Sequence, residues 1–261
     1  MKRRSFTIFA VLLGALGVTA APAVTGSPAG DAAVVPAAEF GQLLQQLSSP
    51  SFIQRDWAAR RLLQHGPQIS APLVATVRDT DDDLIAAAAI NLLAHASCNA
   101  DPGFAASALL GMTSLQTDAD KLPEVTRQLL ASSYQAAVRH NLAQLTAAGA
   151  EIDRDDDRQV HRISIHTDRF TDRHLPLVGA LTTIRILDLR GTPITGEGLR
   201  HLAALTSLER LVLTDTQVRG TSLRQLPTLP GLRDIALYRV PLTADDLNWL
   251  RDHLPRCQVN R

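Results

Sequence analysis

The chain has 261 residues, 45% of them hydrophobic, enough to build one large core or two smaller ones and too many for a disordered chain. Its 26 basic and 26 acidic residues cancel to a formal charge of zero, so no overall charge draws it to nucleic acid or to an anionic membrane. Aromatic residues make up only 4% of the chain, which leaves no base-stacking platform for single strands.

At the start, Lys2, Arg3 and Arg4 precede an uncharged, largely apolar run over 6–18 and then small residues. This is the composition of a secretory signal, expected over 1–23 and expected to be cleaved. Val18-Thr19-Ala20 and Ala21-Pro22-Ala23 both suit the peptidase, and no Cys is present there for a lipid anchor. The apolar run is shorter than the roughly 20 residues of a bilayer span, so retention as an anchor is the lesser alternative. The mature protein is therefore expected to be secreted or periplasmic, without stable membrane insertion. In that compartment Cys98 and Cys257 are too few for a disulfide scaffold. They read as buried small apolar residues, with a bridge between them as the alternative.

Ala, Pro, Gly and Val without periodicity over 24–38 indicate a linker. A helical domain is expected over 39–149. Its first helix, 39–47, has Phe40, Leu43, Leu44 and Leu47 on one face and ends at Ser48-Ser49-Pro50. The second, 51–65, places Ile53, Trp57, Ala58, Leu62 and Ala59 on its expected buried face and stops at Gly66-Pro67. A third over 67–78 uses Ile69, Leu73, Val74 and Val77, and a fourth over 82–96 uses Ile85, Ala89, Leu92 and Leu93. The run Arg55-Asp56-Trp57-Ala58-Ala59-Arg60-Arg61-Leu62-Leu63-Gln64-His65-Gly66, with Leu73 and the Asp-rich turn 79–83 after it, resembles HEAT-type repeats. The resemblance spans about one and a half units; the second has Ala87 to Ala89 where an Arg is usual. Residues 101–120 read as one short helix with a loop. A long helix is expected over 123–148, with Pro123 before it, Gly149 after it and Leu130, Tyr134, Ala137, Val138, Leu142 and Leu145 on one face. It is placed to close the open end of the C-terminal region's core.

The C-terminal region is a repeat. Units beginning at Val160, Ile184, Leu208 and Leu232 step by 24 residues without a gap, and apolar residues recur in each at unit positions 1, 4, 6, 11, 16 and 19. Positions 4 and 6 alternate as a short strand requires, and 16 and 19 are a helical step apart. Each unit therefore reads as strand, turn and short helix. A hairpin from Glu151-Ile152-Asp153 to Gln159-Val160 starts the sheet, and Leu254-Pro255-Arg256-Cys257-Gln258-Val259 ends it with Cys257 against the core.

The pattern resembles leucine-rich repeats, whose consensus opens L-x-x-L-x-L, over 160–255. At unit position 9, where the consensus prefers Asn or Cys, stand Asp168, Thr192, Thr216 and Val240. Gly191-Thr192-Pro193-Ile194-Thr195 and Thr214-Asp215-Thr216-Gln217-Val218 are similar to bacterial repeats of the GTxIT type, in which Thr hydroxyls serve the turn backbone. Thr171, Thr195 and Thr243 stand where helix N-caps are expected. The fold class expected is thus mixed α and α/β: an all-α HEAT-like helical domain and, after it, a short α/β leucine-rich-repeat solenoid over 150–261.

No sequence motif of a hydrolase elbow, nucleotide loop, zinc helix or dinucleotide fold is present, and neither Cys has a nucleophile's surroundings. Asp153, Asp155 and Asp157 open like a calcium loop, but Arg158 and Ser164 occupy the places of its Gly and its bidentate Glu; a solvated turn is the expectation. His161, His166 and His174 with Asp168 and Asp172 invite a zinc reading, yet His161 and His166 lie an odd number of residues apart and point to opposite faces of a strand. The function expected is a non-enzymatic, exported protein-interaction scaffold without cofactor, metal or nucleic acid. A structural or glycan-binding envelope component is the alternative, and a metal-assisted hydrolase the third reading. The face of the sheet between the buried columns, unit positions 3, 5 and 7, supplies the candidate binding residues: Arg162, His166, Asp188, Arg190, Arg210, Thr214, Asp234 and Tyr238. Arg and Tyr are enriched at interface hot spots.

Overall fold

A computed structural model describes residues 36–261. The expected signal, and the expected linker up to residue 35, lie outside the described residues. The chain is mixed α and β: six helices come first, α1 (Ala37–Leu47), α2 (Phe52–Leu63), α3 (Ser70–Asp79), α4 (Asp83–Ala96), α5 (Pro102–Thr117) and α6 (Glu124–Ala147). Strands β1 (Ala150–Arg154) and β2 (Val160–Ile165) then begin a sheet that β3 (Ile186–Asp188), β4 (Arg210–Val212), β5 (Asp234–Ala236) and β6 (Gln258–Asn260) continue. Short helices α7 (Leu175–Gly179), α8 (Gly220–Leu223) and α9 (Ala244–His253), with a 3₁₀ turn over Leu199–Ala204, connect the later strands.

Local chemistry sets several of these boundaries. The Asp82 carboxylate accepts the Leu84 N–H at 2.8 Å and opens α4, and Asp101 accepts the Phe104 N–H at 2.7 Å and opens α5, each satisfying a donor that the first turn leaves orphaned. Because α1 starts at Ala37, the last residues expected in the linker are helical. A larger correction concerns 101–120, which is not a short helix and loop. Helix α5 buries Phe104, Ala105, Ala106, Ala108, Leu109, Met112 and Leu115 and packs on α3, α4, α6 and α7. A helix surrounded on most sides is apolar most of the way round, so it lacks the one-sided stripe by which helices are recognised.

On α2, Ala58 and Leu62 are fully buried as expected. Ile53 and Trp57 are not: they are 78% and 56% exposed. They lie nearly opposite Leu62 around the helix, on a side left open among the described residues, where α2 packs on α1, α4 and the turn Gly66–Ile69.

The sheet runs in chain order from β1 to β6. The hairpin expected at its start is present, with β1 antiparallel to β2; all later pairs are parallel. Arg162 stands beside Ile186, Ile186 beside Arg210, Arg210 beside Asp234 and Asp234 beside Gln258, so the spatial step equals the 24-residue step of the sequence. Of the six apolar columns only Leu242 and Leu247, both in the last unit, are not fully buried. A seventh column, Leu181, Leu205 and Leu229, lies outside the pattern shared by all four units and is buried as well.

A tight turn leaves each of the later strands through one left-handed residue, Gly191, Asp215 and Arg239 at φ 72°, 57° and 62°. Gly takes this conformation freely, Asp tolerates it and Arg is strained there. The next residue then satisfies the turn: Thr192 and Thr216 each donate a hydroxyl, at 2.7 Å, to the carbonyls of Leu189 and Leu213. Of the expected caps, Thr243 and Asp246 exchange hydrogen bonds at the start of α9. Thr195 caps no helix; its N–H and hydroxyl both donate to Asp172 in the preceding unit.

The buried apolar residues form one cluster from Leu43 to Leu254. Helix α6 packs against β1, and α5 and α6 against α7, so the helical part covers the first edge of the sheet's core. Both cysteines are free thiols; Cys257 lies against the core as expected, whereas Cys98, in the turn after α4, is exposed rather than buried.

Candidate functional site

Successive residues of a strand face opposite sides, so the columns that bury positions 4 and 6 turn positions 3, 5 and 7 to the other face. No helix among the described residues packs on that face at β3, β4 or β5. Neighbouring strands lie about 4.8 Å apart, close enough for side chains in one column to pair.

They do so with acid and base divided by depth. Asp188 is only 6% exposed at its side chain, while Arg190, which donates to it at 3.1 Å, is 56% exposed. His166 Nε2 lies 3.5 Å from the other Asp188 oxygen. One strand further on, Arg210 donates to Asp234 at 2.5 Å, with side-chain exposures of 56% and 21%, and Asn260 donates to the second Asp234 oxygen at 2.7 Å. Arg162 donates to Ser164 at 3.1 Å. Asp188 is thus covered and Asp234 mostly so, while the guanidinium groups of Arg190 and Arg210 stay more than half open; Asp153, beside Arg162, keeps an exposed carboxylate.

Seven of the eight candidate residues lie at least partly open on this face: Arg162, His166, Arg190, Arg210, Thr214, Asp234 and Tyr238. Asp188 is on the same face but buried, as are Ser164 and Val212 beside it, because the middle column is covered by those on either side. Tyr238 is 49% exposed. A second feature, absent from the sequence reading, is an open cleft of about 500 Å³ at the strand starts, lined by Thr183, Arg185, Ser207, Glu209 and Arg233 among others. There Arg185 and Glu209, 24 residues apart, pair at 2.7 Å, and hydrogen bonding to Arg185 holds the Glu209 carboxyl below its ordinary range. The signal for it is present in unit position 2, which after His161 alternates Arg185, Glu209 and Arg233.

The residues of the zinc reading are dispersed among separate tasks. His174 Nδ1 accepts the Thr171 N–H at 3.1 Å, and burial together with the Arg173 charge holds its pKa below the usual imidazole range, in keeping with a neutral acceptor. Asp172 accepts from the backbone of Thr195, Gly196 and Gly198 at 2.8 to 3.1 Å. His166 is at Asp188, Asp168 is exposed, and the His161 Nδ1 is buried without a partner among the described residues. No three His, Cys, Asp or Glu among the described residues converge as metal ligands do. In the Asp-rich hairpin the Asp155 carboxylate accepts the Gln159 N–H at 2.8 Å, Arg158 turns left-handed at φ 61°, and Asp153 faces Arg162 at 3.9 Å, the geometry of a solvated turn. Burial and the neighbouring Asp234 push the Cys257 thiol up to about 11, which keeps it protonated and a poor nucleophile.

No protein-family model matches the chain, and no curated protein matches it.

Proposed function

We propose that the chain is an exported, non-enzymatic leucine-rich-repeat protein with a HEAT-like helical segment, and that it binds an acidic protein partner through the open face of its sheet. One observation carries the reading: at β3 the Asp188 carboxylate is covered and at β5 Asp234 is mostly covered, while the guanidinium groups of Arg162, Arg190 and Arg210 are open, next to the half-exposed ring of Tyr238. The 24-residue register over five strands supports the repeat assignment, as do the Thr192 and Thr216 hydroxyls in the turns. Export rests on Lys2 to Arg4 and the apolar run behind them. The pairs with Asp188 and Asp234 fix Arg190 and Arg210 before a partner arrives, which lowers the entropy lost on binding.

Affinity capture from the native envelope with mass spectrometry tests the proposal. A variant combining Arg190→Glu, Arg210→Glu and Tyr238→Ala is expected to melt cooperatively yet lose the captured partner, and raised salt is expected to weaken capture by the wild type. The milder Arg190→Gln, Arg210→Gln pair serves if the triple variant misfolds. Undiminished capture by a folded variant would place the binding surface elsewhere.

A further inference from the structure

The cleft at the strand starts is built by the repeat itself. Unit position 2 supplies His161, Arg185, Glu209 and Arg233, and a backbone ladder holds them side by side: the N–H groups of Arg185, Glu209 and Arg233 each donate, at 2.8 Å, to the carbonyl of the residue one unit before. Thr183 and Ser207 line the cleft beside them, and the hairpin between β1 and β2 adds Asp155 at the far end. The cleft therefore runs across the strands, from the hairpin at β1 to Arg233 at β5. Four strand spacings of about 4.8 Å make it roughly 19 Å long.

Its charges are not all engaged. Arg185 turns two nitrogens on one oxygen of Glu209, at 3.0 and 2.7 Å, which leaves the other carboxylate oxygen without a hydrogen bond among the described residues. Arg233 is exposed, and its guanidinium makes no hydrogen bond or ion pair among the described residues. Asp155 is exposed too; one of its oxygens accepts the Gln159 N–H, and it meets no cation among the described residues. The two uncommitted charges thus have opposite signs and stand at opposite ends, with the Arg185–Glu209 pair between them. A dianion placed on Arg233 would meet the repulsion of Glu209 close by. A chain with a carboxylate at one end and a cation at the other is complemented at both. An extended peptide advances about 3.3 Å per residue and turns every second side chain to one side. Six steps therefore cover roughly 20 Å and leave both end side chains facing the same way.

We infer that the cleft binds an extended peptide segment laid across the strands, with an acidic side chain on Arg233 and a basic one, six residues away, on Asp155. Between them the free Glu209 oxygen accepts a main-chain N–H and the exposed Ser207 hydroxyl faces the chain. The site is separate from Arg190 and Tyr238 on the open face of the sheet, and it does not depend on the role proposed for them.

Fluorescence anisotropy of dye-labelled peptides, titrated with the purified full chain, tests the inference. The probes are two capped seven-residue peptides with five serines between a lysine and a glutamate, one in each order. One of them is expected to bind saturably, and more weakly as salt is raised. Arg233→Gln is expected to raise its dissociation constant about 10-fold. Asp155→Asn, which keeps an oxygen for the Gln159 N–H, is expected to raise it about 3-fold. Arg233→Glu is expected to lose this peptide and to bind instead the one in which a second lysine replaces the glutamate. Both positions are exposed, so folding is not at stake, and unchanged melting checks that. Absence of binding by both probes at millimolar concentration overturns the inference, as does binding that ignores Arg233→Gln or an all-serine peptide that binds equally well. Displacement of the peptide by an equal concentration of inorganic phosphate overturns it too, since the cleft would then be a plain anion site.

Discussion

Residues 150–261 and residues 39–149 are both built from short elements, but they specify themselves in different ways. In the first region the same constraint is repeated every 24 residues, and the copies correct one another: Leu187, Leu211 and Ile235 share one column, adjacent in parallel register and all fully buried. In the second region each helix solves its own packing problem once. Nothing in α2 tells whether its Ile53 side is covered, and among the described residues it is open; nothing in α5 shows that it is surrounded. Periodicity states which residues of an element share a face. It does not state how many faces are covered, and that is settled only by the element's place in the stack.

The largest test of this contrast is Leu211→Ala in the middle strand of the repeats. Leu211 is 0% exposed between two like neighbours, and the truncation leaves a cavity that the rigid stack cannot close; the expected loss is about 2 to 5 kcal/mol. Chemical denaturation measures it. A loss under about 0.5 kcal/mol, the range of exposed substitutions, would mean that the columns are out of register and that the repeated region is no better specified than the helical one.

How far the sequence reaches obeys the same division. The strands, the opening hairpin, the closing strand and the Thr hydroxyls of the turns are legible because a 24-residue period multiplies each weak local preference. The column Leu181, Leu205 and Leu229 escapes because the fourth unit has His253 there. The face of the sheet is legible from alternation alone, but the depth of its charges is not: Asp188 and Arg190 are both polar residues at outward positions, and only packing distinguishes the covered carboxylate from the open guanidinium. Thr195 misleads for a similar reason. Its sequence position suits a cap, whereas its actual partner, Asp172, is 23 residues away along the chain.

Asp172 offers a sharper test, because it couples two units through charge. Although burial by itself raises its pKa, hydrogen bonds from Thr195, Gly198 and Gly196 outweigh that and leave the folded pKa below the ordinary carboxylate value. A depressed folded pKa means that the unfolded chain binds the proton more readily. The stabilisation is therefore present above the unfolded value of about 3.9 and is lost as the pH falls from there through the lower folded pKa. Asp172→Asn is expected to destabilise the protein at neutral pH and to flatten the acid limb of its melting temperature against pH. An acid limb of unchanged slope would show that the contact between the units does not depend on the charge.

The smallest expected effect is the most pointed for the helical region. Ile53 is grouped with Leu62 on the face expected to be buried, yet nine residues at about 100° each set the two on opposite sides of the helix, and Ile53 is 78% exposed whereas Leu62 is 0% exposed. Ile53→Ala removes atoms that already face water, and Ala is at least as good a helix former as Ile, so the stability change is expected within about 0.5 kcal/mol in either direction. The measurement is made by denaturation at low protein concentration, where association contributes nothing to the apparent stability. A loss of about 2 kcal/mol or more, as for a buried truncation, would mean that Ile53 is covered within a single chain. The end of the helical stack would then be closed, and the unequal burial that separates the two regions would disappear.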